Sequence, residues 1–186
     1  MVALKAKKWD SAEFLAWSSS QEKRYELDGG DIVEMASEQA RHALTKYAAT
    51  KALEFGMKRA GLACQVYPDG MTVVVDDSHV RLPDAAVQCT PVDPESITLD
   101  NPVILVEVIS PSSVDRDESQ KLIEYFSIPS VSHYLVLSPN QRRVVHFKRG
   151  DQPGKIDTMI LSHGSIDLSP PGFSVDVDDL LGSSDR

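Results

Sequence analysis

"VILVEVIS", Val103 to Ser110, is the most apolar run in a chain of 186 residues, and one acid, Glu107, sits inside it. Side chains alternate along a strand, so Val103, Leu105, Glu107 and Ile109 share one face while Ile104, Val106 and Val108 share the other. Both faces are apolar, the pattern of a central strand covered on two sides. An ionised carboxylate buried there alone would cost several kcal/mol or would take up a proton. Glu107 therefore needs a compensator. A cation from Arg81, Arg116 or Lys121 would serve, and so would a metal ion shared with a second acid.

Upstream, "RLPDAAVQC" reads as a strand with its proline near the start or on an edge, which places Asp84 just inside a strand beside 103–110. Adjacent strands lie only about 5 Å apart, so two carboxylates on a shared face can hold one Mg²⁺ or Mn²⁺. Downstream, "SPSSVDRDESQKLIEYF" turns into a helix on which Asp117 and Lys121 stand i, i+4, with Tyr125 one turn further. Taken alone, that pair is a solvated salt bridge worth a few tenths of a kcal/mol. The helix, however, leaves directly from the C-terminal end of the Glu107 strand. Its first turns can overhang the acids, where a lysine could orient water and neutralise charge on a phosphate.

The remaining elements follow from capping and turn chemistry. Asp10 with Glu13 has the spacing of a capping box and opens a short helix that carries Phe14 and Trp17. "RYELDGGDIVEM" reads as a hairpin around Asp28-Gly29-Gly30, with Glu26 on its first strand. Ser37 is the expected cap of a long helix that places Ala40, Ala43, Leu44, Tyr47, Ala48 and Leu53 roughly along one face and stops at Gly61. "ACQVYPDGMTVVVDD" reads as strand, turn, strand, and "SHYLVLS", "RRVVHFKRG" and "KIDTMIL" as three more strands. A short "VDVDDLL" element follows, and Pro170-Pro171 is the one plausible linker. Strand, helix and strand in succession imply a crossover and a mixed sheet with helices packed on it, so the class is α/β or α+β.

Composition bounds the rest. The apolar fraction of 41% and charged fraction of 25% are those of a folded globular protein. No stretch could span a bilayer, and no apolar leader follows the first lysines, so a cytoplasmic protein without membrane contact is expected. Cys64 and Cys89 show no C-x-x-C or Cys/His spacing, and both read as buried, reduced thiols. The net charge of −9 disfavours a polyanionic partner at long range, but seven Asp against Lys155 and Arg186 after Gly150 carry −5 of it.

"RYELDGGDIVEM", a His in the following helix, "RLPDAAV", "VILVEVISPSS", "DESQKLIEYF" and "IPSVSHYLVLS", in that order, resemble the Uma-like family of bacterial restriction-endonuclease relatives. That family belongs to the PD-(D/E)XK nuclease superfamily, and the resemblance runs from about Arg24 to Pro139. It implies a restriction-endonuclease-like mixed central sheet flanked by helices, with an N-terminal hairpin. Residues 1–23 would form a helical extension, 24–150 the nuclease-like core, and 151–186 an acidic extension packed on it. It further implies a metal-dependent endonuclease acting on nucleic acid, in the first place DNA, with Mg²⁺ or Mn²⁺ on Asp84, Glu107 and the carbonyl of Val108. The usual superfamily lysine position holds Ile109; Lys121 on the following helix matches the place of a migrated lysine. Glu26 matches an additional acid, while His42 and Asp117 would support the site. A homodimer is the implied assembly. A catalytically silent binding module on the same scaffold is the alternative, because fold alone does not fix function.

Overall fold

The structure is a computed structural model and describes residues 7–109 and 117–182. Helix α1 (Ser11–Ser18) is capped as expected, Asp10 accepting the Glu13 N–H at 2.8 Å. Strands β1 (Tyr25–Asp28) and β2 (Asp31–Glu34) form the hairpin, and Gly29 and Gly30 take φ of +54° and +80°, as a two-residue turn of this kind requires. Helix α2 (Ala40–Arg59) ends before Gly61 at φ +67°. Its start differs from expectation: Gln39 stands at the cap position without a side-chain bond, and Ser37 lies outside the helix. So does its inward face. Thr45, Lys46, Ala49, Ala52, Leu53, Gly56 and Met57 are buried, whereas Leu44 and Tyr47 are exposed. Small residues let the helix sit close to its neighbours; a Cβ on Gly56 would meet the Phe173 ring at 2.7 Å.

The chain continues through β3 (Gln65–Pro68), β4 (Val73–Asp76), β5 (His79–Arg81), β6 (Ala85–Gln88), β7 (Pro102–Val108), α3 (Asp117–Ser127), β8 (His133–Ser138), β9 (Arg143–Arg149), β10 (Ile156–Leu161), β11 (Ser165–Leu168), β12 (Phe173–Asp176) and α4 (Val177–Leu181). Where one strand was expected around Pro83, there are two. Proline has no N–H to give a ladder, and the chain changes sheets there: β5 joins the order β2-β1-β5-β4, and β6 joins β10-β9-β8-β7-β6-β3. β3 and β4 also fall in different sheets and do not pair with each other. Pro170 and Pro171 are not a linker but sit in the turn of the β11–β12 hairpin, where Leu168 pairs with Phe173.

Strand β7 is central, antiparallel to β6 and parallel to β8, with α3 in the crossover. Ile104, Val106 and Val108 pack in one core with Ala49, Leu53, Val175 and Leu180; Leu105 packs in a second with Tyr125, Tyr134 and Val136. This double coverage is what the apolar run encodes. A smaller cluster of Phe14, Leu27 and Val80 joins α1 to the four-stranded sheet.

Cys64 and Cys89 form a disulfide, and Cys89 is exposed, which overturns the expectation of buried, reduced thiols. They are brought together because Gln65 pairs with Gln88 across β3 and β6, a register that cysteine spacing does not reveal. Among the described residues no helix is long and apolar enough to cross a membrane.

Candidate active site

The site forms at the C-terminal end of β7. Ala85 pairs with Val106, and the Asp84 N–H donates to the Val106 carbonyl at 3.0 Å, which sets Asp84 across from Glu107. The Val108 N–H in turn donates to Asp84 Oδ2 at 2.6 Å. Glu107 Oε1 accepts from Lys121 Nζ at 3.0 Å and from the Tyr125 hydroxyl at 2.6 Å. Residues four apart on a helix face the same way, so α3 delivers both donors together. Lys121 Nζ also donates to Glu26 Oε1 at 3.2 Å, and that oxygen takes the Leu82 N–H at 3.0 Å. Glu26, Asp84, Glu107 and Lys121 are 8%, 5%, 8% and 6% exposed. Strands β1 and β7, helix α3 and the residue just before β6 thus each bring a buried charged side chain to this end of β7.

Helix α2 supplies the other wall. His42 Nε2 donates to the Val108 carbonyl and lies 3.7 Å from Asp84 Oδ2. Lys46, one turn on, places Nζ 3.1 Å from Asp84 Oδ1 and is hydrogen-bonded to Glu38 and Asp69. Behind Glu26, Arg81 grips Glu124 with two bonds of 2.6 and 2.7 Å and reaches Asp28 at 2.8 Å and Glu26 at 3.4 Å. Asp117 opens α3, but its side chain lies outside the described residues, as does Arg116.

Burial pushes Glu107 up to about 7; Lys121 and the Tyr125 hydroxyl oppose the rise, while Asp84 and Glu26 reinforce it. Burial likewise drives Tyr125 well above its ordinary value, with Glu107 and Glu26 adding to it. For Lys46, burial works against the charge, but the bonds to Asp69 and Glu38 outweigh it and hold the ammonium firmly protonated. Beyond burial, the neighbouring Asp84 and Glu26 add negative charge around Glu107. Hard oxygen donors with such charge suit a divalent cation. The ligand atoms of Glu38, His42 and Asp84 lie within 4.8 Å of one another, as do those of Asp28, His79 and Glu124. Each group already holds a cation, Arg81 on Asp28 and Glu124 in the second and Lys46 on Glu38 and Asp84 in the first, and the first is the one that contains Asp84.

The family model described as Uma2, "Putative restriction endonuclease", matches residues 11–178. The chain belongs to the Uma2 family. No curated protein sequence matches it. Among solved structures, it is similar to the crystal structure of "a putative nuclease belonging to DUF820" from Anabaena variabilis, at 15% identity and a TM-score of 0.70, over 91% of this chain and 96% of that one. The Uma2 chain has the restriction-endonuclease-like fold, and family and fold together support a nuclease.

Of the residues singled out in this Uma2 sequence, Asp84, Val108 and His42 form one set of contacts and Glu26, Glu107 and Lys121 another, and the two sets meet at the consecutive residues Glu107 and Val108. Lys46, Asp69 and Glu38 join the Asp84 set without having been placed there from sequence, and Arg81, expected beside Glu107, meets Glu26 instead. Lys46 stands i, i+4 from His42, and that spacing was the available signal. Ile109 packs in the second core beside Leu105, so the usual lysine position is filled by an apolar side chain.

Proposed function

We propose that this protein is a metal-dependent endonuclease that hydrolyses phosphodiester bonds of nucleic acid, DNA in the first place. The observation that carries the reading is Lys121, brought from the crossover helix to 3.0 Å from Glu107 and 3.2 Å from Glu26 in a buried acidic site. Asp84, Glu107 and the Val108 carbonyl would hold Mg²⁺ or Mn²⁺; a bound ion supplies Lewis-acid polarisation of the phosphoryl oxygen and acidifies water. The chain's own residues do the rest. The Val108 N–H and the Tyr125 hydroxyl fix the two carboxylates, so that little reorganisation is left for the reaction. Glu26 anchors the ammonium of Lys121, which orients the attacking water and offsets charge on the phosphate in the transition state. His42, through the Val108 carbonyl, steadies the third donor. Asp117 would support Lys121 from the start of the same helix. Two copies acting as a homodimer would address two strands, and the cytoplasm is the compartment where that substrate is met.

Purified protein with Mg²⁺ or Mn²⁺, assayed on duplex, single-stranded and branched DNA, tests the reading. Asp84→Ala and Lys121→Ala should each abolish cleavage; unchanged activity in both would remove this mechanism. A second reading, a catalytically silent binding module, is favoured by Ile109 at the usual lysine position and by Lys46, whose ammonium already sits beside Asp84. It requires metal binding to be absent in calorimetry.

A further inference from the structure

The outward face of α2 carries groups that the active site does not use. Leu44, Tyr47 and Phe55 are 56%, 63% and 64% exposed, turned away from the buried Ala49 and Leu53. The helix holds five cations, Arg41, Lys46, Lys51, Lys58 and Arg59, against Glu54 alone, in a chain whose net charge is −9. Four of the five are exposed; only Lys46 turns inward. Two stack on the aromatics: Lys51 Nζ lies 5.3 Å from the centre of the Tyr47 ring, and the Arg59 guanidinium 5.7 Å from that of Phe55. A groove of about 970 Å³ runs between this face and α4, lined by Arg41, Tyr47, Lys51, Phe55 and Arg142. Asp178 on its far wall is paired with Arg142. Arg41, at one end of the groove, is hydrogen-bonded to Asn140.

We infer that this face is a binding platform for single-stranded DNA. The inference rests on the nuclease reading above and names where its substrate is held. Exposed rings flanked by cations match single strands, whose bases offer a stacking face while their phosphates seek positive charge. Tyr47 and Phe55 are eight residues apart, about 12 Å along the helix axis, so separate bases can stack on each. A second copy of the chain fits less well. A two-fold axis through this face would bring Lys51, Lys58 and Arg59 of one copy towards the same cationic set of the other, and like charges so placed repel.

The test is fluorescence anisotropy with a labelled oligo(dT), in EDTA so that cleavage does not intervene. The double variant Lys51→Glu with Phe55→Ala alters only exposed side chains, and Lys155→Glu, exposed and outside the groove, is the control. The double variant should weaken binding about tenfold or more, the control should not, and wild-type affinity should fall steeply with salt. A Tyr47→Trp variant adds a direct readout, its emission quenched when bases stack on it. Unchanged affinity in the double variant overturns the inference. So does a switch from dimer to monomer with affinity intact, or an oligo(rU) bound tenfold more tightly than oligo(dT). Asp84→Ala separates the two readings, since it should abolish cleavage and leave oligo(dT) binding in place. Platform-dependent binding by a wild-type protein that cuts nothing would sink the nuclease and keep the platform; cleavage with platform-independent binding would do the reverse.

Discussion

Glu107→Gln in metal-free protein removes a buried charge while keeping the acceptor oxygen that Lys121 and Tyr125 use. The native carboxyl is pushed up to about 7 from an ordinary value of 4.5. Between those values the folded protein keeps a proton that the unfolded chain has released, so this group's contribution to stability falls as pH rises through the window. A difference of that size corresponds to about 3 kcal/mol once pH exceeds the folded value. At pH 5 the protonated Glu107 is already neutral, as glutamine is, and the two proteins should differ little. At pH 8 the variant should be the more stable by about 3 kcal/mol. Urea unfolding of both proteins in EDTA across this range gives the difference directly, and other titrating groups cancel in it. A difference that stays constant from pH 5 to pH 8 would refute the reasoning, because it would mean that Glu107 is charged throughout.

Lys121→Met leaves Glu26 and Glu107 without their shared ammonium and should lower unfolding stability by about 3–5 kcal/mol, read as a reduced urea midpoint. Arg81→Lys should also destabilise, since an ammonium cannot reproduce the two-bond grip on Glu124; equal midpoints for wild type and variant would contradict this. Burial holds His133 and His146 down at about 4, with the charge of Lys148 adding to the effect on both. The unfolded chain therefore takes up protons first, and stability should drop as pH falls from the ordinary value of 6.5 towards 4, a loss that His133→Phe with His146→Leu should remove. The disulfide closes a separation of 25 residues, so Cys64→Ser with Cys89→Ser should cost about 3 kcal/mol, and thiol titration of the unfolded wild type should find no free cysteine.

The central strand was legible because alternation and double coverage are local properties of "VILVEVIS". The hairpin turn and the α1 cap were legible for the same reason, each being written in a few adjacent residues. Asp84 across from Glu107 followed from chain order, and Lys121 from its place on the helix that comes next in sequence after β7. What stayed hidden depends on contacts between distant segments. A lysine on a helix reads as solvated, and the approach of Glu38, Asp69 and Asp84 draws Lys46 inward. The face that α2 buries was misjudged because close packing against Phe173 selects Ala49, Ala52 and Gly56 over the larger Leu44 and Tyr47. The sheet change at Pro83 and the disulfide likewise follow from strand pairing over long separations. Arg81 is near enough in sequence to serve Glu107, but Glu124 and Asp28 hold it, and of the site acids it reaches Glu26.

The most direct test of the proposed chemistry is the position of the metal itself, read from anomalous diffraction of crystals soaked in Mn²⁺. The expected result is a peak coordinated by Asp84 and Glu107 together, within reach of the Val108 carbonyl. A peak held by Glu38, His42 and Asp84 without Glu107, or no peak at saturating Mn²⁺, would contradict it.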